Sequence, residues 1–243
     1  MEENEILPGI SAFGLALWVE KNKALVIGDL HLGIEEMFNK KGVMVPRFNF
    51  LAIKKHLLDR VFSKAKPKII VINGDLKHEF GTVSGQEWSE TIDMLRFLQR
   101  HCKRLVLVKG NHDTILGPIA KWENLKIEKE GILLPKSRVF VTHGEKVPKG
   151  EGFKKAKTVV IGHEHPSVKI RDRHKEEKFK CFLAGKFKEK KLVVMPSLNF
   201  VSIGSDVRSN ETMSPFLENG VKNFNVFAVA DKIYNFGKLK DLD

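Results

Sequence analysis

The sequence predicts an α/β protein organised around a parallel-type sheet, and three observations lead there. The first is the stretch from Lys68 to His78, in which the aliphatic run Ile69 to Ile72 stops abruptly at Asn73-Gly74-Asp75. A short unbroken β-branched run bounded by turn residues marks a strand buried on both faces, as in sheets covered by helices. The second is that such runs alternate with helix-like stretches through the first half of the chain. The third is that the runs keep ending in glycine followed by an acidic, amide or imidazole side chain. In open α/β sheets ligands gather at the carboxyl ends of the strands, so these endings locate a candidate site as well as a fold.

Phe13 to Val19 and Lys23 to Ile27 are expected to form a hairpin about Glu20-Lys21-Asn22, and its second strand ends in Gly28-Asp29-Leu30-His31. If the chain stays extended there, side chains two residues apart face the same way, so Asp29 and His31 converge. Ile34 to Lys40 and Phe48 to Lys64 read as helices, the second with Leu51, Leu58 and Phe62 at helical spacing, and Pro67 closes it. A loop rich in Gly, Thr and Ser, Gly81 to Gly85, leads into a third helix, Trp88 to Cys102, with Ile92, Leu95 and Leu98 on one side. The next strand, Leu105 to Val108, ends in Gly110-Asn111-His112-Asp113, and Thr114 to Lys121 reads as a short helix. Beyond it the chain is mostly β, with strands at Leu125 to Lys129, Val139 to Thr142, Thr158 to Ile161, Val168 to Ile170, Phe179 to Leu183, Lys191 to Met195 and Phe224 to Ala230. Two of these end in histidine, at Thr142-His143-Gly144 and at Gly162-His163-Glu164-His165. The loop around Ser205 to Ser214 is the expected disordered piece.

A chain of 243 residues, 42% hydrophobic and 30% charged, suits one folded domain over 1–243, with a basic β-rich C-terminal extension from about residue 166. Its 42 Lys and Arg against 30 Asp and Glu leave a formal charge of +12, which favours an anionic partner or, equally, a surface adapted to heat. Cys102 and Cys181 have no metal-binding spacing and make no disulfide framework. With an acidic start at Glu2, Glu3 and Glu5 and no apolar run of membrane-spanning length, the expected compartment is the cytoplasm.

Collected, the strand-end residues are Asp29, His31, Asp75, Asn111, His143, His163 and His165. They are hard oxygen and imidazole donors without a thiolate, which suits manganese, iron or zinc and does not suit a structural zinc cage. Seven ligands exceed the needs of one ion. They fit two ions about 3.5–4 Å apart that share a carboxylate, an arrangement that clamps attacking and leaving oxygens in phosphoryl displacement.

Asp29-x-His31, Gly74-Asp75 with His78, Gly110-Asn111-His112-Asp113, His143-Gly144 and Gly162-His163-x-His165 occur in the order of the calcineurin-like metallophosphoesterases, which the sequence resembles from Asp29 to His165. The resemblance implies a two-sheet β-sandwich flanked by helices on both outer faces. It implies that Asp29, His31, Asp75 and His165 hold one metal, that Asp75, Asn111, His143 and His163 hold the other, and that Asp75 is shared. The cofactors it implies are two divalent ions, manganese ahead of iron, zinc or nickel. The implied chemistry is attack on phosphorus by a metal-bridging hydroxide, with His112 as general acid and Asp113 orienting it. Within the superfamily the sequence is most similar to archaeal phosphoesterases and to bacterial DNA-ligase-associated phosphoesterases, through His78 and the segment Met195-Pro196-Ser197-Leu198-Asn199, and more distantly to the double-strand-break repair nuclease.

The expected activity is hydrolysis of phosphodiester bonds in nucleic acid or nucleotides. Competing readings are a phosphomonoesterase on a small anionic substrate and a non-catalytic subunit of a DNA-repair complex. Lys146, Lys149, Lys154, Lys155 and Lys157 fall between His143 and His163, where loops should rim the site, so His78, Lys149, Lys154 and Lys155 are the candidate substrate-binding residues. A second basic cluster, from Arg171 to Lys191, reads equally as a solvated hairpin. A DNA-repair protein is a further expected partner, and the apolar strand Val226 to Val229 is a candidate dimer edge.

Overall fold

The computed structural model describes residues 5–78, 85–113, 123, 125–172, 175–209 and 212–242. Two β-sheets pack face to face. The first contains β1 (Glu5–Leu7), β2 (Ile10–Phe13), β3 (Ala16–Val19), β4 (Ala24–Ile27), β5 (Ile69–Asn73), β6 (Arg104–Val108) and β7 (Lys126–Glu128), side by side in chain order. Its opening strands are antiparallel, while β4, β5, β6 and β7 run parallel. The second sheet holds β8 (Ile132–Leu134), β9 (Val139–Val141), β10 (Thr158–Ile161), β11 (Pro166–Asp172), β12 (Lys175–Phe187), β13 (Lys190–Val194), β14 (Ser205–Asp206), β15 (Asn225–Val229) and β16 (Ile233–Lys238). Within it β9, β10 and β13 run parallel.

Alternation along the strands divides the apolar side chains into three layers. Between the sheets, Leu17, Val26, Val71 and Val108 meet Val141, Val160, Phe182 and Val193. Ile70 and Ile72 flank Val71 on β5 and point the other way, into a layer completed by helices. Those helices are α1 (Ile34–Lys40), α2 (Asn49–His56), which continues as a π-helical turn Leu57–Phe62, and α3 (Gly85–Gln99). On the outer face of the second sheet, Val159, Ile161, Leu192 and Val194 pack with Phe153 of α4 (Glu151–Lys155) and with Phe216. Each fully buried Val, Leu or Ile in these layers contributes roughly 1.5–3 kcal/mol. The expected sandwich with helices on both outer faces is the observed fold.

Several local expectations change. Phe13 to Val19 is two strands, broken at Gly14, whose φ of +58° and packing against His56 suit only glycine. The buried stripe of α2 is Ile53, Leu57 and Val61, and Leu51 and Leu58 are exposed at 65% and 45%. Both stripes have helical spacing, and contact with the sheet selects one. The strand expected at Phe179 to Leu183 is a 13-residue strand, β12, bonded along its length to β11, β13 and β15 in turn. β15 has partners on both sides, so Val226 to Val229 is not a free dimer edge. Ser205–Asp206, expected to be disordered, pairs with β11. The expected loop at 81–84 and helix at 114–121 lie outside the described residues. Among the described residues, no helix is long and apolar enough to cross a membrane, and both cysteines are free.

Candidate metal centre

Beyond β4 and β5 the chain does not separate. Asp29, His31 and Leu32 donate their backbone N–H groups to the carbonyls of Gly74, Asp75 and Leu76, and His78 donates back to Leu32. The two strand-end loops are thereby zipped together. Their backbone is not extended as expected, because Asp29 (φ 53°), His31 (φ 46°) and Asp75 (φ 47°) are left-handed, as are His163 (φ 66°) and His165 (φ 47°). Left-handed backbone is uncommon outside glycine and concentrates where function demands a fixed side-chain direction. Here it turns side chains from three strand ends toward one point.

The glycines of the motifs make room for these side chains. A Cβ on Gly110 would stand 2.2 Å from Asp75 Oδ1, one on Gly162 would stand 2.4 Å from Asp29 Oδ2, and one on Gly74 would stand 2.1 Å from His143 Nδ1.

Two donor groups result. In the first, His165 Nε2 lies 3.3 Å from Asp29 Oδ1 and 3.3 Å from His31 Nε2. In the second, His143 Nε2 lies 3.4 Å from Asp75 Oδ2, 3.1 Å from His163 Nδ1 and 2.9 Å from Asn111 Oδ1. Asp75 Oδ2 is also 3.8 Å from His31 Nε2, so one carboxylate faces both groups. All seven strand-end residues are brought together.

Divalent metal ions fit this donor set. The ligand atoms of Asp29, His31 and His165, and those of Asp75, His143 and His163, lie within 4.8 Å of one another in each group. Carboxylate and amide oxygens with imidazole nitrogens, and no thiolate, match borderline divalent ions. Asp29 and Asp75 are almost fully buried, yet among the described residues each accepts a backbone N–H only from a neighbouring loop, His163 for Asp29 and His112 for Asp75. Burial opposes ionisation of both carboxyls, but the facing imidazoles outweigh it and hold them below the usual carboxylate range. Burial, with His165 beside it, draws His31 down to about 3, leaving a lone pair available at neutral pH. His143 behaves oppositely: burial disfavours its charge, yet the bond to Asp75 and the charges of Asp29 and Asp75 push it up to about 10. A cation entering the second group competes with that proton, so ion binding strengthens as pH rises.

The remaining candidates divide. His112 reaches the centre, with Nε2 at 4.0 Å from Asp75 Oδ2, and its Nδ1 bonds the His78 carbonyl. Asp113 does not orient the His112 ring as expected. It accepts the backbone N–H groups of Leu76 and Gly110 and so ties the second and third strand-end loops together. Its carboxyl, buried and close to Asp75, is raised to about 6. His78 Nδ1 lies 3.2 Å from His31 Nδ1, and His31, His78 and His112 form a further group of donors within 4.8 Å of one another. Lys149 lines a groove of about 740 Å³ that opens beside Asn111 and also holds Lys109, Lys129 and Lys146. Lys154 and Lys155 sit on α4 at the far end of the sheet, where Arg138 bonds the Lys155 carbonyl and Lys190 that of Lys154. In the second basic cluster, Arg171 and Lys175 pair with Glu176 and Glu177 as a solvated hairpin, joined by Lys169 just before it. Sequence reasoning missed two amides: Asn49 and Asn199 both donate to the Leu30 carbonyl, fixing the residue between Asp29 and His31. The segment Met195 to Asn199 carried that signal without revealing its role.

The family model for calcineurin-like phosphoesterases matches residues 23–220. Among solved structures, a nuclease from Pseudomonas putida is similar at 17% identity over 91% of each chain, with a TM-score of 0.60. A phosphoesterase from E. coli is similar at 18% identity over 88% of this chain and 97% of its own, with a TM-score of 0.45. No curated protein sequence matches.

Proposed function

This chain belongs to the calcineurin-like phosphoesterase family of metal-dependent hydrolases, and from that premise we propose that it is a dinuclear phosphodiesterase acting on nucleic acid or nucleotides, with manganese as its preferred ion. The observation that carries the reading is the position of Asp75 Oδ2, 3.8 Å from His31 Nε2 and 3.4 Å from His143 Nε2. One carboxylate is thus available to both donor groups. Asp29, His31, His165 and Asp75 would hold one ion, and Asp75, Asn111, His143 and His163 the other. Such ions, when bound, neutralise phosphoryl oxygens and make a water acidic enough to act as nucleophile near neutral pH.

The chain's own groups do the rest. His112 donates Nδ1–H to the His78 carbonyl, which fixes the ring and leaves Nε2 as the nitrogen that turns to the centre. A proton on Nε2 can pass to the departing alkoxide, a contribution of about 10²–10⁴ in rate. The ring is 17% exposed, so solvent can restore that proton. The groove beside Asn111, where four lysines outnumber Glu130 and Glu145, suits a chain of phosphates better than a single small anion. The likeness to a Pseudomonas putida nuclease supports the same substrate class. We take residues 1–243 as one domain and the cytoplasm as its compartment.

The test is manganese-dependent hydrolysis of an aryl phosphodiester beside the matching monoester, with Asp75→Asn as control. A diester preference is expected, reduced on the order of 10³-fold by the substitution. A monoester preference would sink the diesterase reading in favour of a phosphatase.

A further inference from the structure

A second cavity of about 520 Å³ opens at the same end of the sandwich, on the other side of the segment Ser197 to Ile203. Arg60, Lys64, Lys178, Lys180 and Lys232 line it, against Asp231 as its one acid among the described residues. Among the described residues, none of these cations has a carboxylate within 4.0 Å. Arg60 donates to the Asp231 backbone carbonyl, Lys178 to that of Gly204 and Lys180 to Ser197 Oγ, each at 2.6 Å. The Asp231 carboxylate is already engaged by the Tyr234 hydroxyl at 2.9 Å.

Arg60, Lys64 and Lys232 face solvent, but Lys178 and Lys180 are half-buried, and positive charge drawn out of water normally has a counter-charge, because leaving it unpaired is costly. Lys180 shows the strain most clearly. Burial, with Lys178 close by, draws its ammonium down to about 8 even though the charge of Asp29 works the other way. The cavity is not uniformly polar. Phe179 and Phe200 form part of its wall together with Leu15, Val229 and Ile233. Cations beside aromatic and aliphatic surface, in a volume typical of small-molecule sites, describe a ligand with one anionic end and one flat apolar end.

We propose that this cavity binds a nucleoside phosphate, its phosphate between Arg60, Lys178 and Lys180 and its base against Phe179 and Phe200. The wall it shares with the metal centre is the segment whose Asn199 holds the Leu30 carbonyl and which leads directly into Gly204, packed on His165. The site does not depend on bound metal or on the reaction assigned above.

Adenosine monophosphate is titrated calorimetrically into EDTA-treated full-length chain at low salt, beside adenosine and inorganic phosphate. One molecule per chain is expected to bind, more tightly than either fragment. Lys180→Met and Arg60→Gln should each weaken it at least tenfold, while Lys188→Gln, equal in charge change and remote from the cavity, should not. Equal binding by Lys180→Met and Lys188→Gln would overturn the site, as would binding lost in Lys149→Glu alone. Inorganic phosphate binding as tightly as the nucleotide would overturn the base pocket. A 5′-phosphorylated oligonucleotide that displaces the mononucleotide assigns the cavity to strand ends, and one that does not assigns it to free nucleotides. Because no ion is present, failure here is distinguishable from failure of the diesterase assignment.

Discussion

The two sheets meet at the candidate centre with different chemistry. Strand ends of the first sheet bring Asp29, Asp75 and Asn111, the oxygen donors, together with His31. Those of the second sheet bring His143, His163 and His165, imidazoles alone. Each donor group takes members from both sheets, so the centre forms only when the sheets pack in one register. Negative charge, and the carboxylate that faces both groups, belong to the first sheet. Loss of Asp75 from the first sheet should therefore disturb both ions, and loss of a histidine from the second should disturb a single ion.

Manganese content separates these outcomes and carries the largest expected effect. Equilibrium dialysis of the unaltered chain should give two ions per chain. His163→Ala and His165→Ala should each retain one ion, whereas Asp75→Ala should bind neither tightly. Retention of one ion by Asp75→Ala would break the contrast between the sheets.

The outer layers differ as well. On the first sheet, α2 is tied to the strands by His56 Nε2, which accepts the Leu15 N–H at 2.9 Å. On the second, α4 is held by the Lys190 ammonium, which donates to the carbonyls of Lys154 and Ala156. Only the first tie fails on mild acidification. Burial, with Arg60 nearby, depresses His56 to about 4 from an ordinary 6.5. Between those values the unfolded chain binds more protons than the folded one, so stability rises with pH through the window. The contribution is fully present above pH 6.5 and is lost as pH falls toward 4, by roughly 3 kcal/mol at most. Urea unfolding from pH 4 to 7 should show that slope, and His56→Gln, which keeps an acceptor for Leu15, should remove most of it. A slope unchanged in the variant would leave His56 without this role.

The contrast between the sheets also governs how much could be read from sequence. Aliphatic runs ending in glycine or histidine are local signals, and they marked every strand end that supplies a donor. The left-handed turns at Asp29 and His31 were not legible, because the zipper between the Gly28 and Gly74 loops imposes them from outside the motif. The same holds for Asp113, whose neighbour in sequence is His112 but whose hydrogen-bond partners are Leu76 and Gly110. In the second sheet α4 and the strands β8 and β16 went unseen. They are short or mostly exposed, and their regularity comes from partners far along the chain.

Lys149 and Lys154 show the limit of sequence distance within one crossover of the second sheet. Both lie between His143 and Thr158, yet Lys149 lines the groove beside Asn111 and Lys154 stands at the opposite end, paired with Glu151 at 2.8 Å. If nucleic acid tracks the groove, Lys149 neutralises a phosphate and Lys154 does not. The logarithm of affinity for single-stranded DNA should then fall less steeply with the logarithm of salt in Lys149→Ala, by a slope change of about 1. Lys154→Ala should keep the original slope, although both substitutions remove the same net charge. Equal slopes for the two variants would mean that the strand follows the overall positive field of the chain and not the groove.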